Sequence, residues 1–139
     1  MNFKKFLSSI GIGSLTVETV VERPNLNEGE TLNGTIYITG GDTDQKIEYV
    51  ELHVVKQIDE VRDDSDFQLI ENVVAKQSLD FVSTLKSKGT LMQQFEIVPD
   101  ERWIVENAKT KLLLRTIVHV DNGVDAMDED EFTYSVSAM

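Results

Sequence analysis

The chain contains no cysteine, which excludes disulfide bonds and thiolate metal sites and fits a reducing compartment. It also has no run of about 20 apolar residues that could span a bilayer as a helix. Ser8, Ser9, Gly11 and Gly13 interrupt the apolar core that a secretory signal would need. We therefore expect a cytoplasmic protein whose mature chain starts at Met1.

Basic residues are scarce. The 139 residues include 13 lysines and arginines against 25 aspartates and glutamates, which gives a formal net charge of −12. Such a charge repels a phosphate backbone, and the few lysines are scattered along the chain instead of clustered. Nucleic acid is therefore not an expected partner.

The first residues combine helical spacing of apolar side chains with two lysines off that face, which predicts a short amphipathic helix over residues 1–13. Its candidate membrane or docking face consists of the apolar Phe3, Phe6, Leu7 and Ile10 together with the flanking Lys4 and Lys5. Peripheral membrane contact is one interpretation. A helix that covers a sheet edge or packs on the core is favoured, because two lysines are a weak electrostatic anchor.

From residue 14 onward, short β-branched runs separated by turn residues replace the helical periodicity. About seven strands are predicted, near residues 15–22, 34–40, 46–61, 73–82, 91–98, 112–120 and 132–136. Strands do not alternate with helices, so the pattern predicts an all-β domain over residues 14–137. Its expected architecture is an antiparallel β-sandwich of two sheets, as in immunoglobulin-like domains.

Lys46–Val61 is predicted to be a long central strand, because Val50, Leu52 and Val54 occupy alternate positions and therefore face the same side of a strand. The acidic segment Asp59–Asp66 that follows is predicted to be a solvated loop.

Two further positions carry expectations of their own. Gln93 shares the inward parity of Leu91, Phe95 and Ile97, although its side chain is polar. Trp103 is predicted to cover the core, as a single loop tryptophan usually does.

No residue set resembles a reaction centre. His53 and His119 are the only imidazoles, and both fall within predicted strands, where satisfied or solvent-facing side chains are expected. No serine lies in a nucleophile motif. We therefore predict no catalytic residue, no cofactor and no enzymatic activity.

Acidic residues accumulate after the predicted strand at residues 112–120, in a segment interpreted as an acidic turn. The segment fails the calcium-loop test, because Gly123 stands third from Asp121 instead of sixth. A looser cation site remains an alternative, and its weak candidates are Asp121, Asp125, Asp128 and Asp130. The competing interpretation is that these aspartates cap the turn. The alternative function is a calcium- or carbohydrate-binding accessory β-sandwich.

Three parts of the sequence suggest a family. They are FKKFLSSIGIGSLTVETVVE from Phe3, NEGETLNGTIYITGG from Asn27 with IEYVELHVV from Ile47, and LLLRTIVHVDNGVDAMDEDEFTY from Leu112. The most specific feature is Val124-Asp125 followed by Asp128-x-Asp130 and an aromatic residue. Together these parts resemble the amino-terminal half of the bacterial sporulation-control proteins of the stage-zero M type, in the arrestin-like clan.

The resemblance implies an arrestin-like β-sandwich in the cytoplasm that binds other proteins without catalysis and influences entry into sporulation. It also implies two sandwiches in tandem, of which this sequence has one. Protein partners are therefore expected, and open sheet edges make a homo-oligomer an alternative.

Overall fold

The structure is a computed structural model that describes residues 14–61, 67–80, 83–121 and 123–137. The predicted amino-terminal helix and its face lie outside these residues. The described part contains nine strands and one 3₁₀ helix, Glu101–Trp103. The strands are β1 Thr16–Val21, β2 Asn25–Asn27, β3 Leu32–Thr39, β4 Gln45–Val61, β5 Phe67–Leu79, β6 Ser83–Leu85, β7 Thr90–Ile97, β8 Thr110–Val120 and β9 Ala126–Ser135.

The strands form two packed sheets, which confirms the predicted all-β sandwich. The small sheet has the order β1-β3-β7, and the large sheet has the order β2-β9-β8-β4-β5, with β6 also paired to β4. All pairs are antiparallel except β2 with β9, which is parallel. The prediction of about seven strands missed β2 and β6, because three residues are too few to show an alternating pattern.

Two predicted boundaries were wrong. The last strand starts at Ala126 and not at Phe132, so the expected acidic turn is mostly strand. Strand β5 starts at Phe67, six residues before the predicted start. Strand β4 ends at Val61, as predicted, so Asp59 and Glu60 belong to this strand and not to the expected acidic loop. For the acidic start of β9 the reason is that charged residues have low strand propensity, whereas pairing with β8 overrides that propensity.

Alternation of side chains builds the core between the sheets. In β3, Leu32, Ile36 and Ile38 are fully buried. Gly34 on the same strand leaves space for the Phe95 ring, because a β-carbon there would lie 2.7 Å from that ring. The core also includes Leu52, Val54, Leu112, Leu114, Val118 and Phe132.

Trp103 is fully buried, which confirms the prediction that it covers the core. Its ring meets Phe132 edge-on at 5.6 Å between centroids and Tyr134 at 6.2 Å. The 3₁₀ helix that carries Trp103 is capped at its start by the Asp100 side chain, which accepts the Arg102 N–H. The cap and the aromatic contacts together hold the loop over the end of the sandwich.

Buried polar groups join the two sheets on the side where β1 approaches β9. The Asp128 carboxylate accepts the backbone N–H of Thr19 at 2.7 Å, and the hydroxyls of Thr19 and Thr116 lie 2.7 Å apart. All three residues are at least 98% buried. Because a buried donor without an acceptor is costly, this arrangement fixes how β1 sits against β8 and β9.

We expect the Asp128→Ala substitution to lower the free energy of unfolding by about 1 to 3 kcal/mol, because it leaves the buried Thr19 N–H without its acceptor. The Glu131→Ala substitution on the same strand is the matched control, since Glu131 is exposed. Urea unfolding followed by circular dichroism measures both. Equal stability of the two variants would contradict a structural role for the Asp128 contact.

Candidate functional site

The four aspartates proposed as cation ligands are divided between two environments. Asp121 and Asp125 lie in the exposed turn between β8 and β9, and Asp125 accepts the Val120 N–H at 3.0 Å. Asp128 and Asp130 lie within β9, where Asp128 points into the core. Within the described ranges, no three histidine or acidic side chains are arranged to hold a metal ion. Asp125 thus stabilises the turn by accepting the Val120 N–H, and Asp128 connects the two sheets by accepting the Thr19 N–H.

The outer face of the large sheet carries a cluster around Glu51 of β4. This carboxylate lies 3.0 Å from Lys76 Nζ, 2.7 Å from His119 Nε2 and 3.4 Å from His53 Nε2. The Glu51 side chain is only 13% exposed. Three cationic or polar donors from β4, β5 and β8 therefore surround one carboxylate, and the cluster links these three neighbouring strands.

These contacts change the acidity of Glu51. The hydrogen bond from Lys76 is the main reason that the pKa of Glu51 falls from its ordinary value of 4.5 to about 2. Burial acts in the opposite direction, and the bonds from His119 and His53 add to the lowering.

His119 is held on three sides. Its Nε2 faces Glu51, its Nδ1 lies 3.0 Å from the Asp125 carboxylate, and its ring stacks on Tyr49 at 4.1 Å between centroids. Both histidines are therefore engaged with side chains of the same face, as the sequence predicted. The hydrogen bonds and ion pairs described for the two rings go to the carboxylates of Glu51 and Asp125.

A second polar link crosses the same face. Arg115 of β8 binds Glu129 of β9 through Nε at 2.5 Å and Glu71 of β5 through Nη2 at 2.9 Å. Glu71 also accepts the Gln57 amide at 3.0 Å. The pairing register places Val55 of β4 beneath this link, and Val55 is fully buried although it faces outward. The link therefore shields apolar surface from water.

The charges of this second link stabilise each other. Burial alone would lower the pKa of Arg115, but its hydrogen bonds to Glu71 and Glu129 outweigh that effect and raise the pKa. The hydrogen bond from Arg115 likewise lowers the pKa of Glu71. The charged groups of these two clusters are thus bound to one another, and they link β4, β5, β8 and β9 across the outer face.

The sheet edges differ in how they are protected against pairing with another chain. The outer edge of β1 meets β9, because Asp128 accepts the Thr19 N–H. Strands β2 and β6 have three residues each. Short strands and covered edges are the usual ways in which proteins avoid unwanted strand addition.

Strand β5 is an edge of the large sheet, and it carries a β-bulge. Val54 of β4 pairs with Ala75 and Val55 pairs with Val73, so Val74 has no partner on β4. A bulge twists the strand and breaks the regular row of donors and acceptors. Glu71 and Lys76 add charges of both signs along this edge. Strand β5 is thereby a poor template for another strand.

Strand β7 has none of these protections within the described part of the chain. Its eight residues pair with β3 without a register shift, from Leu32 opposite Ile97 to Thr39 opposite Thr90. The other side of β7 has no neighbour in the described sheets. Its sequence, TLMQQFEI, contains one charged residue, Glu96, and neither lysine nor proline. Among the described strands it is therefore a regular edge without a neighbour.

Hydrogen bonds at the strand ends show which backbone groups of β7 face outward. Gly40 N–H donates to the Gly89 carbonyl at 2.7 Å, and Glu22 N–H donates to the Asn33 carbonyl at 2.9 Å. Even-numbered residues of β3 thus bond to odd-numbered residues of β7, and odd-numbered residues of β3 bond to β1. Because bonded pairs alternate along an antiparallel ladder, the even-numbered residues of β7 point their backbone N–H and C=O groups away from β3. The open edge consists of Thr90, Met92, Gln94 and Glu96.

Gln93 supports this assignment. Its side-chain amide donates to the Gln94 carbonyl at 2.9 Å, so that carbonyl is accessible at the edge and takes a local donor. The polar residue on the inward parity of β7 thereby satisfies one acceptor of the open edge.

The outer face of the small sheet adjoins this edge and carries two exposed apolar side chains among mostly polar ones. Met92 is 62% exposed and Val20 is 48% exposed. The pairing registers place Glu18, Tyr37 and Met92 side by side across β1, β3 and β7. These three strands contain two glutamates, Glu18 and Glu96, and no basic residue.

The sequence did not single out β7. A signal was present, because β7 lacks the lysines, prolines and irregularities that protect edge strands. That signal could be interpreted only once the sheet order was known, since the same composition is ordinary in a central strand.

Comparison with known proteins identifies relatives. The model of the Spo0M family, described as SpoOM protein, matches residues 3–138. The sporulation-control protein spo0M of Bacillus subtilis strain 168 is 36% identical over 64 residues, which cover 46% of this chain and 25% of that protein.

A solved structure agrees with the fold. The crystal structure of Spo0M from Bacillus subtilis matches with a TM-score of 0.80 at 21% identity, over 91% of this chain and 51% of that chain. The chain therefore spans about half the length of that relative. The match confirms the expected arrestin-like β-sandwich.

We expect the Glu51→Gln substitution to destabilise the protein at pH 7 by on the order of 1 to 2 kcal/mol, after allowance for solvent screening. The pKa of Glu51 is lower in the folded state, about 2 against 4.5. Its stabilising effect is therefore complete above the unfolded value and is lost as the pH falls toward the folded value. Urea unfolding between pH 7 and pH 3 should show the difference between wild type and variant shrinking with acid.

The matched control for this experiment is Glu48→Gln, which removes an exposed carboxylate from the same strand. It should change stability little at any pH. A Glu51→Gln effect that stays constant across the pH series would contradict the role assigned to the charged carboxylate.

Proposed function

Because the chain belongs to the Spo0M family of sporulation-control proteins, we propose that it is a non-enzymatic regulator that acts by binding other proteins. The partner contributes an extended segment, which adds as a fourth strand to the small sheet at β7. The proposal includes a cytoplasmic location and a role in the control of sporulation, in keeping with the family.

One observation carries the proposal, namely the open edge of β7. Its backbone groups at Thr90, Met92, Gln94 and Glu96 face away from β3, and the neighbouring edges are capped, short or bulged. Strand addition uses such groups for affinity and alternate side chains for selectivity.

The contacts made by the two histidines and by Glu51 support a non-catalytic function. The two histidines are engaged with Glu51 and Asp125, and the strongly shifted carboxylate at Glu51 is held by Lys76. A shifted pKa can mark a reaction centre, but structural ion pairs produce the same shift. Here the shifted group links strands on an outer face, which favours the structural explanation.

We expect the Gln94→Pro substitution to abolish partner capture. Proline removes the N–H at the centre of the open edge, while the neighbouring N–H groups that bond to β3 remain. The measurement is affinity purification of the tagged chain from cells of its own organism, with each captured protein quantified by mass spectrometry. Partners retained by the wild-type chain should fall about tenfold or more with the variant.

This experiment has two control variants. Gln94→Ala keeps the N–H and should retain the partners, whereas Gln93→Pro removes a bond to β3 and should lower the unfolding midpoint. Capture of the same proteins by wild type and Gln94→Pro would overturn binding at β7, provided that circular dichroism shows both folded. Failure of the wild-type chain to enrich any protein over the tag alone would also count against the proposal.

A further inference from the structure

The structure points to the chemistry of the strand that β7 accepts, an inference that rests on the proposed function. We infer that the partner segment is basic, with a lysine or arginine four positions from an apolar residue on the same face. The features that select it are two carboxylates at one end of the small sheet, one of them on the open edge, and the exposed Met92 next to the partly buried Tyr37 near the middle of that edge.

The carboxylates belong to Glu96 of β7 and to Glu22, which lies on the other side of β3, with Asn33 between them. Together with Asn33, Gln94 and Phe95 they line an open hollow of about 430 Å³ beside the end of β7. Neither carboxylate forms an ion pair with any described residue, and Glu96 makes one long contact, 3.4 Å from the Thr31 hydroxyl. This differs from the large sheet, where Glu51, Glu71 and Glu129 are bound by cations.

The apolar pair consists of Met92 and Tyr37, which lie opposite each other in the register between β7 and β3. Met92 is 62% exposed, so most of its side chain is free to contact a neighbour. Methionine adapts its shape to different apolar partners. A strand added beside β7 would place one of its residues directly next to Met92.

The spacing follows from strand geometry. Side chains on one face of a strand recur every second residue, so Met92, Gln94 and Glu96 point to the same face. The residues opposite Met92 and Glu96 on an added strand are therefore four positions apart, also on one face. An apolar residue opposite Met92 and a cation opposite Glu96 give favourable cross-strand pairs.

The electrostatics of the whole chain favour the same partner. The net charge is −12, and the strands of the small sheet carry glutamates without any basic residue. A second copy of this chain would bring the same negative charge to the edge, whereas a basic segment is attracted to it. The inference therefore selects a basic peptide of another protein over self-association.

Two synthetic peptides test the inference on the full chain. Each is a blocked nine-residue peptide of threonine with valine at its seventh position, and the third position holds lysine in one and glutamate in the other. In the antiparallel orientation the third position lies opposite Glu96 when the seventh lies opposite Met92. Fluorescence anisotropy of labelled peptides at low salt gives both affinities.

We expect the lysine peptide to bind at least about fivefold more tightly than the glutamate peptide. The ratio should fall toward one at high salt, and it should also fall in the Glu96→Gln variant. Met92→Ser should weaken both peptides. Light scattering should show that the chain alone remains a monomer at the concentrations used.

The outcomes separate this inference from the proposed function. Equal binding of the two peptides, binding of neither, or a ratio that Glu96→Gln leaves unchanged would overturn the basic-segment inference. If the peptides bind the Gln94→Pro variant as well as the wild type, strand addition itself is wrong. A dimer at these concentrations that blocks the peptides would show that a second copy occupies the edge.

Discussion

The architecture depends on a small set of hydrogen bonds buried between the sheets. Asp128 accepts the Thr19 N–H, and Thr116 meets the Thr19 hydroxyl, all in surroundings that exclude water. Groups of this kind are costly to leave unpaired, so they allow one alignment of β1 against β8 and β9. They also use the outward N–H at the centre of β1. One edge of the small sheet is thereby covered, and β7, which has no outer neighbour among the described strands, forms the opposite edge.

The outer faces of the two sheets differ in how their charged groups are paired. On the large sheet, the clusters around Glu51 and Arg115 bind their charges to each other and cover apolar side chains such as Val55. On the small sheet, Glu96 has no cationic partner among the described residues, and Met92 is exposed beside the open edge. A face whose charges are paired gives a rigid support, and a face whose groups are unpaired can select a ligand. This difference supports the proposal that β7 is the edge at which a partner binds.

Much of the fold follows from the sequence, because the period of the apolar residues reports strands directly. The parity of β3 and the long central β4 were predicted in this way, as was the buried Trp103. The acidic start of β9 was missed, because Asp128 is a poor strand former whose burial depends on Thr19, a residue 109 positions away. The open edge of β7 was missed for a related reason. Whether Gln94 faces a neighbour depends on sheet order, which no local pattern contains.

Backbone amide hydrogen exchange of the isotopically labelled chain, followed by NMR, tests the central claim that β7 is an unpaired docking edge. In the free chain, the amides of Met92, Gln94 and Glu96 should exchange rapidly, and those of Leu91, Gln93 and Phe95 should be protected by β3. Addition of a captured partner segment should protect the first set and leave the second set as it was. Rapid exchange at Met92, Gln94 and Glu96 in the saturated complex would contradict strand addition at β7, and so would their full protection in the free monomer.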